Sequence, residues 1–208
     1  MEPTLLVGDE IAAAKYAYGY GPYSAPFGTI PLKGRVLDRP PERGDIVVFA
    51  LPRDPKQTFV KRLIGLPGDR IQMKGGSLFI NGAEVARRRV GPLTLTTEDG
   101  RRVRATRYVE TLPNGRSHDI MTLGGGPADD TPVFLVPQDS YFMMGDNRDN
   151  SLDSRFAPEE GGVGFVKADY LIGRVDRVLF SISPYASWGD ALLKPTAFRL
   201  SRLLHAVQ

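Results

Sequence analysis

The stretch QTFVKRLIGLPGD, residues 57–69, sets apolar side chains against polar ones and then stops abruptly. In an extended strand Phe59, Lys61 and Leu63 share one side, and their neighbours fall on the other. Gly65-Leu66-Pro67-Gly68-Asp69 is a strong breaker, so the strand ends there. Upstream, the turn Pro41-Glu42-Arg43-Gly44 leads into Asp45-Ile46-Val47-Val48-Phe49, which is β-branched and apolar. Downstream, Ile71–Lys74, Gly75-Gly76, Ser77–Ile80 and Asn81-Gly82 read as a β-meander with tight hairpins. Apolar runs return at 132–136, 141–144 and 173–180. The expected fold class is mostly β.

Residues 84–131 change character. They are more polar, and Pro92, Asp99-Gly100, Pro113-Asn114-Gly115 and Gly124-Gly125-Gly126 break them repeatedly. This predicts a hairpin-rich insert, a small β-subdomain. The expected organisation is a discontinuous β core over 1–83 and 132–190, the insert over 84–131, and a basic tail over 191–208. In the tail, Leu200, Leu203, Leu204 and Val207 share one helical face, with Arg199, Arg202 and His205 on the other. That spacing predicts a short amphipathic C-terminal helix, which either packs on the core or lies on an anionic membrane.

At 208 residues the chain can bury a substantial core. It has no cysteine, which excludes disulfides and thiolate chemistry, and only two histidines, far apart in sequence. A His-based triad or zinc site is therefore hard to build. The net charge is +3, and its arginine clusters, 87–89 and 101–104, read as a solvated face or as a surface for an anionic partner. No apolar segment is long enough to span a bilayer, and Met1 is not followed by a signal peptide.

Two places carry chemistry. Lys61, flanked in its strand by Phe59 and Leu63, reads either as a surface lysine beside Arg62 or as a desolvated amine. Lowering a lysine from about 10.4 to about 7–8 costs on the order of 3–5 kcal/mol and yields a neutral amine that accepts a proton. The second place is GDNRDNSLDSRF, residues 145–156. It reads as an Asx-rich turn, as a calcium loop, or as a hydrogen-bonded scaffold. For calcium, Asp149, Ser151, Asp153 and Glu160 have the spacing, but Ser154 stands where a glycine is needed and Arg148 and Arg155 bring cations. In the scaffold, Asp153 pairs with Arg155 and Ser151 offers its hydroxyl to a neighbouring group.

Taken in order, MEPTLLVGD (1–9), RGDIVVF (43–49), FVKRLIGLPGD (59–69) and MGDNRDNSLDSR (144–155) resemble bacterial signal peptidase I, and the resemblance runs from Met1 to about Trp188. The insert resembles the larger Gram-negative form. The resemblance implies a β-fold of coiled antiparallel sheets and a membrane-anchored serine endopeptidase with a Ser/Lys dyad and no cofactor or metal. It implies that Lys61 is the general base, that Ser151 orients it, and that Asp153 and Arg155 brace Ser151. Gly145, Asp146 and Asn147 match the start of that loop.

The family's nucleophile segment reads S-M-x-P-T-L, and Met1 to Leu5 match M-x-P-T-L. The expectation is that the nucleophilic serine directly precedes Met1. The sequence as it stands is then a mis-started or truncated enzyme, inactive alone, or a non-catalytic signal-peptide-binding paralogue. By the same resemblance, substrates are preproteins with small residues before the cut, and Met1 and Pro3 lie near them. The expected location is the inner membrane, with the catalytic domain on the periplasmic face, and a lipid surface is an expected partner through the tail and Trp188. A self-cleaving repressor with Ser/Lys chemistry requires a helix-turn-helix that the sequence does not show. Nucleic acid is not an expected partner, because a stacking platform of interleaved aromatics is missing.

Overall fold

The three-dimensional arrangement, a computed structural model, describes residues 1–24, 34–96, 102–183 and 197–207. It is mostly β and antiparallel. The strands are β1 (Asp9–Ala14), β2 (Ile46–Leu51), β3 (Asp54–Gly65), β4 (Arg70–Lys74), β5 (Ser77–Ile80), β6 (Ala83–Glu84), β7 (Ala86–Thr96), β8 (Arg102–Thr111), β9 (Ser117–Thr122), β10 (Phe134–Leu135), β11 (Ser140–Met144), β12 (Val166–Lys167) and β13 (Leu171–Ser181). They form a six-stranded sheet in the order β1-β13-β2-β3-β11-β12, a four-stranded sheet β10-β4-β5-β6 and a three-stranded sheet β7-β8-β9.

Strand β2 is buried along its whole length, which explains its continuous apolar run. Alternation sends Val47, Phe49 and Leu51 into one core with Leu63, Tyr141 and Met143. Ile46 and Val48 go to the other face, against Leu5, Val175 and Val178. The meander β4–β6 buries Ile71, Met73, Leu78 and Ile80 against Ile64, Phe142 and Met144. Its two turns are the Gly75-Gly76 and Asn81-Gly82 pairs, all four residues with positive φ, as a two-residue hairpin requires.

Strand β1 has an alanine-rich sequence with little β preference, and it exists because it pairs with β13 from Asp9–Ser181 to Ala14–Arg174. The arginines of β7 and β8 divide. Arg88, Arg89, Arg102 and Arg104 are exposed. Arg87 instead donates to the Gly76 carbonyl at 2.7 Å and stacks over Tyr108.

The tail departs from its periodicity. Its described residues hold the 3-10 turn Leu200–Arg202 and not an amphipathic α-helix. Bridges from Phe198 to Ile182 and from Ala206 to Arg177 pin the segment as an irregular edge on the large sheet. An extended edge satisfies backbone groups that a helix of so few residues leaves open. Leu200, Leu203 and Leu204 consequently stay exposed. Arg202 donates to the Thr4 carbonyl at 2.9 Å and to the Asp9 carboxylate, tying the tail to the first residues of the chain. Trp188 lies outside the described residues.

Candidate active site

Strands β3 and β11 build the site. β11 pairs with β3 through Phe142–Gly65, Met143–Leu63 and Met144–Arg62. It therefore ends opposite Arg62, and the loop beginning at Gly145 starts beside Lys61. Ser154 returns the chain to β11: its amide donates to the Met143 carbonyl at 3.0 Å and its Oγ accepts from the Met143 amide at 2.9 Å.

Lys61 and Ser151, ninety residues apart, meet: Nζ of Lys61 donates to Oγ of Ser151 at 2.7 Å. Lys61 is half-buried, and Phe59 lies 5.9 Å from its nitrogen. Burial pushes the Lys61 amine below its usual value. The Asp153 charge opposes that shift, and the Arg155 charge adds to it.

Asp153 is fully buried and its oxygens are fully engaged. It accepts from the Gly145 amide at 2.9 Å, from the Arg155 amide at 3.1 Å, and from Nε and Nη2 of Arg155 at 2.9 Å each. Arg155 also donates to the Arg148 carbonyl at 2.5 Å. A fork this complete holds the loop in one shape. Asp149 accepts from the amides of Leu123 and Gly124. Asp153 thus spends both oxygens on protein donors and Asp149 its Oδ2, and among the described residues no three acidic or histidine side chains gather as a metal site.

Gly145 is required by contact. A Cβ built there would sit 2.2 Å from Oγ of Ser151 and 2.5 Å from its Cβ. Only a glycine lets the loop bring that hydroxyl so close to its own start.

Asp146 grips Arg62, the neighbour of Lys61 on β3, while its charge still reaches the Lys61 amine: Nε and Nη2 of Arg62 donate to its two oxygens at 2.8 Å each. Both side chains are buried, and the hydroxyl of Thr4 also donates to Asp146. Burial pushes the Asp146 carboxyl up, but the Arg62 charge and these hydrogen bonds outweigh it and hold the group below its usual value. Asn147 is buried, and its Oδ1 accepts from the Asn150 amide at 3.2 Å.

Met1 and Pro3 part company. Met1 lines an open groove with Leu5, Ile11, Val60, Asn147 and Asn150. Its buried amino nitrogen lies in the field of Lys61, and burial and that charge both push the amine down. Pro3 lines a separate cleft with Thr4, His118 and Arg202. Ser24 is buried, with Oγ bonded to the Gly21 amide and carbonyl, and residues 25–33 lie outside the described residues.

Sequence reading missed Thr4, Arg62, Glu110 and Arg148. Arg62 and Arg148 carried one usable signal, a cation inside an otherwise apolar or tightly turned stretch. Glu110 and Thr4 carried none, since their partners lie 38 and 142 residues away.

The chain matches the family described as "Signal peptidase, peptidase S26" over residues 1–180. Signal peptidase I of Rickettsia typhi (strain ATCC VR-144 / Wilmington) is 44% identical over 199 residues, covering 91% of this chain and 71% of that protein. Signal peptidase I of Rickettsia prowazekii (strain Madrid E) is 42% identical over the same length and shares of the two chains. The crystal structure of a signal peptidase I from Enterococcus faecalis V583 is 29% identical, covers 65% of this chain and 97% of its own, and has a TM-score of 0.37.

Proposed function

The chain belongs to the signal peptidase family, peptidase S26, and from that premise we propose how its residues cleave signal peptides from exported preproteins. Signal peptidase function, and so protease chemistry, is what it shares with its relatives. The finer assignment is a Ser/Lys dyad in which Lys61 is the general base.

The observation that carries this reading is the 2.7 Å contact from Lys61 to Ser151, made by an amine that burial pushes toward its neutral form. A neutral lysine has one lone pair. By donating one N–H hydrogen bond to Ser151, it keeps that pair directed elsewhere, toward the attacking hydroxyl. The nucleophile's oxygen adds to the scissile carbonyl while its proton passes to Nζ. Nζ returns that proton to the departing amine as the C–N bond breaks, and then activates water against the acyl-enzyme.

The family pattern puts the nucleophilic serine immediately before the residue matching Met1. The position of the Met1 nitrogen supports this, because a residue bonded to it sits within the field of Lys61. The groove beside Met1 and Val60 then receives the extended segment ahead of the cut, with small side chains at alternate positions. Residues 84–131 form an insert between the two parts of the core, and the working enzyme is held at a membrane with this face outside the cytoplasm. No helix among the described residues is long and apolar enough to cross a membrane.

The test is preprotein cleavage by a chain carrying a serine directly before Met1. Lys61→Ala lowers the rate by about 10²- to 10⁴-fold, the usual range for losing a general base. Ser151→Ala lowers it strongly with the fold intact. Normal processing by Lys61→Ala overturns the assigned base, and an unchanged rate in Ser151→Ala removes its orienting role.

A further inference from the structure

The loop that presents Ser151 is fastened on two sides. Its inner half, 151–155, is held by β11 and by the Asp153–Arg155 fork. Its outer half, 146–149, is held by the three-stranded sheet. The Met121 amide donates to the Asp146 carbonyl at 2.9 Å, and the Arg148 amide donates to the Met121 carbonyl at 3.0 Å, a parallel bridge from β9. Asp149 takes the amides of Leu123 and Gly124 at 2.6 and 3.0 Å.

One side-chain bond in this seam has a different character. Nη1 and Nη2 of Arg148 fork onto the two oxygens of Glu110 on β8, the first at 2.8 Å, with side chains only 2% and 1% exposed. Burying such a pair costs several kcal/mol per ion before the attraction repays it, so apolar side chains of the same size hold a fold as well or better. What a two-pronged ion pair supplies and a pair of apolar groups does not is direction.

Resting on the reading of Lys61 as the base, we propose that Glu110 is a positioning residue for the cleavage reaction, fixing through Arg148 the loop that sets Ser151 against Lys61. The connection is continuous. Glu110 holds the Arg148 side chain, the Arg148 carbonyl receives Arg155, Arg155 forks Asp153, and Asp153 receives the Gly145 amide, in contact with Ser151. His118 of β9 approaches Glu110 at 3.5 Å from Nε2. Neither ring nitrogen has a hydrogen-bond partner among the described residues, and burial followed by the Arg62 charge pushes the imidazole down to about 4, so it is neutral there. The cation facing Glu110 is therefore Arg148. The charges facing Lys61 are Asp153, Arg155 and Asp146, all on the loop that Glu110 steadies, and the Met1 amine.

The experiment compares Glu110→Gln and the double variant Glu110→Leu/Arg148→Met. Lys61 titration is followed by NMR in this chain, and kcat and KM are measured in the chain bearing the upstream serine. We expect Glu110→Gln to lower kcat by about 10- to 100-fold, as a misplacement of about 1 Å does. KM stays within about twofold, the mark of an interaction that acts in the transition state. The Lys61 midpoint moves up as water reaches the loosened loop. The double variant melts at or above the unaltered protein's temperature and still shows both changes, which a purely structural ion pair does not. Glu110→Asp, which keeps the charge, recovers part of kcat.

The proposal is overturned by a double variant with unaltered kcat and Lys61 titration, or by a Glu110→Gln effect confined to KM or to the melting temperature. Retained cleavage by Lys61→Ala instead sinks the general-base reading. An essential Lys61 whose titration ignores Glu110 sinks only this proposal.

Discussion

Lys61 and Arg62 are consecutive residues of one strand, face opposite sides of one sheet, and are held by different ends of the same loop. Arg62 receives a carboxylate, Asp146, at 2.8 Å. Lys61 receives a neutral hydroxyl, Ser151, at 2.7 Å. The difference in partner decides the chemistry. A guanidinium forked by a buried carboxylate stays a structural cation, and losing either partner costs about 3–5 kcal/mol. An amine buried against a hydroxyl is driven toward neutrality, as a base requires.

Gly145→Ala tests the contact at the loop's start. The new Cβ would meet Ser151 Oγ at 2.2 Å, so Ser151 must leave Lys61. The expected result is a fall in kcat of about 10²-fold. It comes with a loss of about 1–3 kcal/mol in urea unfolding from overpacking. Adding Ser151→Gly relieves the clash, so stability returns while activity does not. Full activity in the single variant counts against the assigned orientation.

His118 makes the fold acid-labile. Its imidazole is pushed from 6.5 to about 4, first by burial and then by Arg62. The unfolded chain takes up a proton near 6.5 and the native protein only near 4, so the unfolded state binds more protons between these values. Stability therefore falls as the pH drops through that window, by about 1.4 kcal/mol per unit. Because both ring nitrogens lack a hydrogen-bond partner among the described residues, His118→Leu forfeits no such bond. Urea unfolding at pH 7 and pH 4.5 should show a clear drop in the parent and a much smaller one in the variant.

Lys61 predicts the opposite side of the pH scale. Its folded-state value is lowered by burial from 10.5, so from that lowered value up to 10.5 the unfolded state binds more protons. Stability contributed at this site rises with pH across that window. Below it, the native protein carries a charge it cannot solvate well. Lys61→Met should raise the melting temperature at neutral pH, with the advantage shrinking as the pH approaches 10.5. A variant that melts lower at neutral pH shows that the amine is well solvated.

Most strands were legible because they rest on local order, whereas the grouping of Lys61 with Ser151, Asp153 and Arg155 came only from the family resemblance, since Lys61 and Ser151 are ninety residues apart. Alternation in β3, the Gly75-Gly76 and Asn81-Gly82 turns and the density of Asx residues in 145–155 are visible one residue at a time. β1 was not legible, since Ala12 to Ala14 become a strand only through β13. The tail misled in the other direction: its leucines have helical spacing, yet sheet-edge bonds to Ile182 and Arg177 win over a helix too short to stand. Glu110 and Thr4 take their roles from partners folded in from distant sequence, which no short-range pattern encodes.

The bond from Arg202 to the Thr4 carbonyl couples two segments 198 residues apart in sequence. Thr4 in turn hands its hydroxyl to Asp146. Peeling the last residues away, by a carboxypeptidase or by tension on a carboxyl-terminal fusion, removes the Arg202 bond and leaves Thr4 held by Asp146 and Arg62. A perturbation at Arg202 is thus expected to be felt at Thr4, and through it at the loop that carries Ser151.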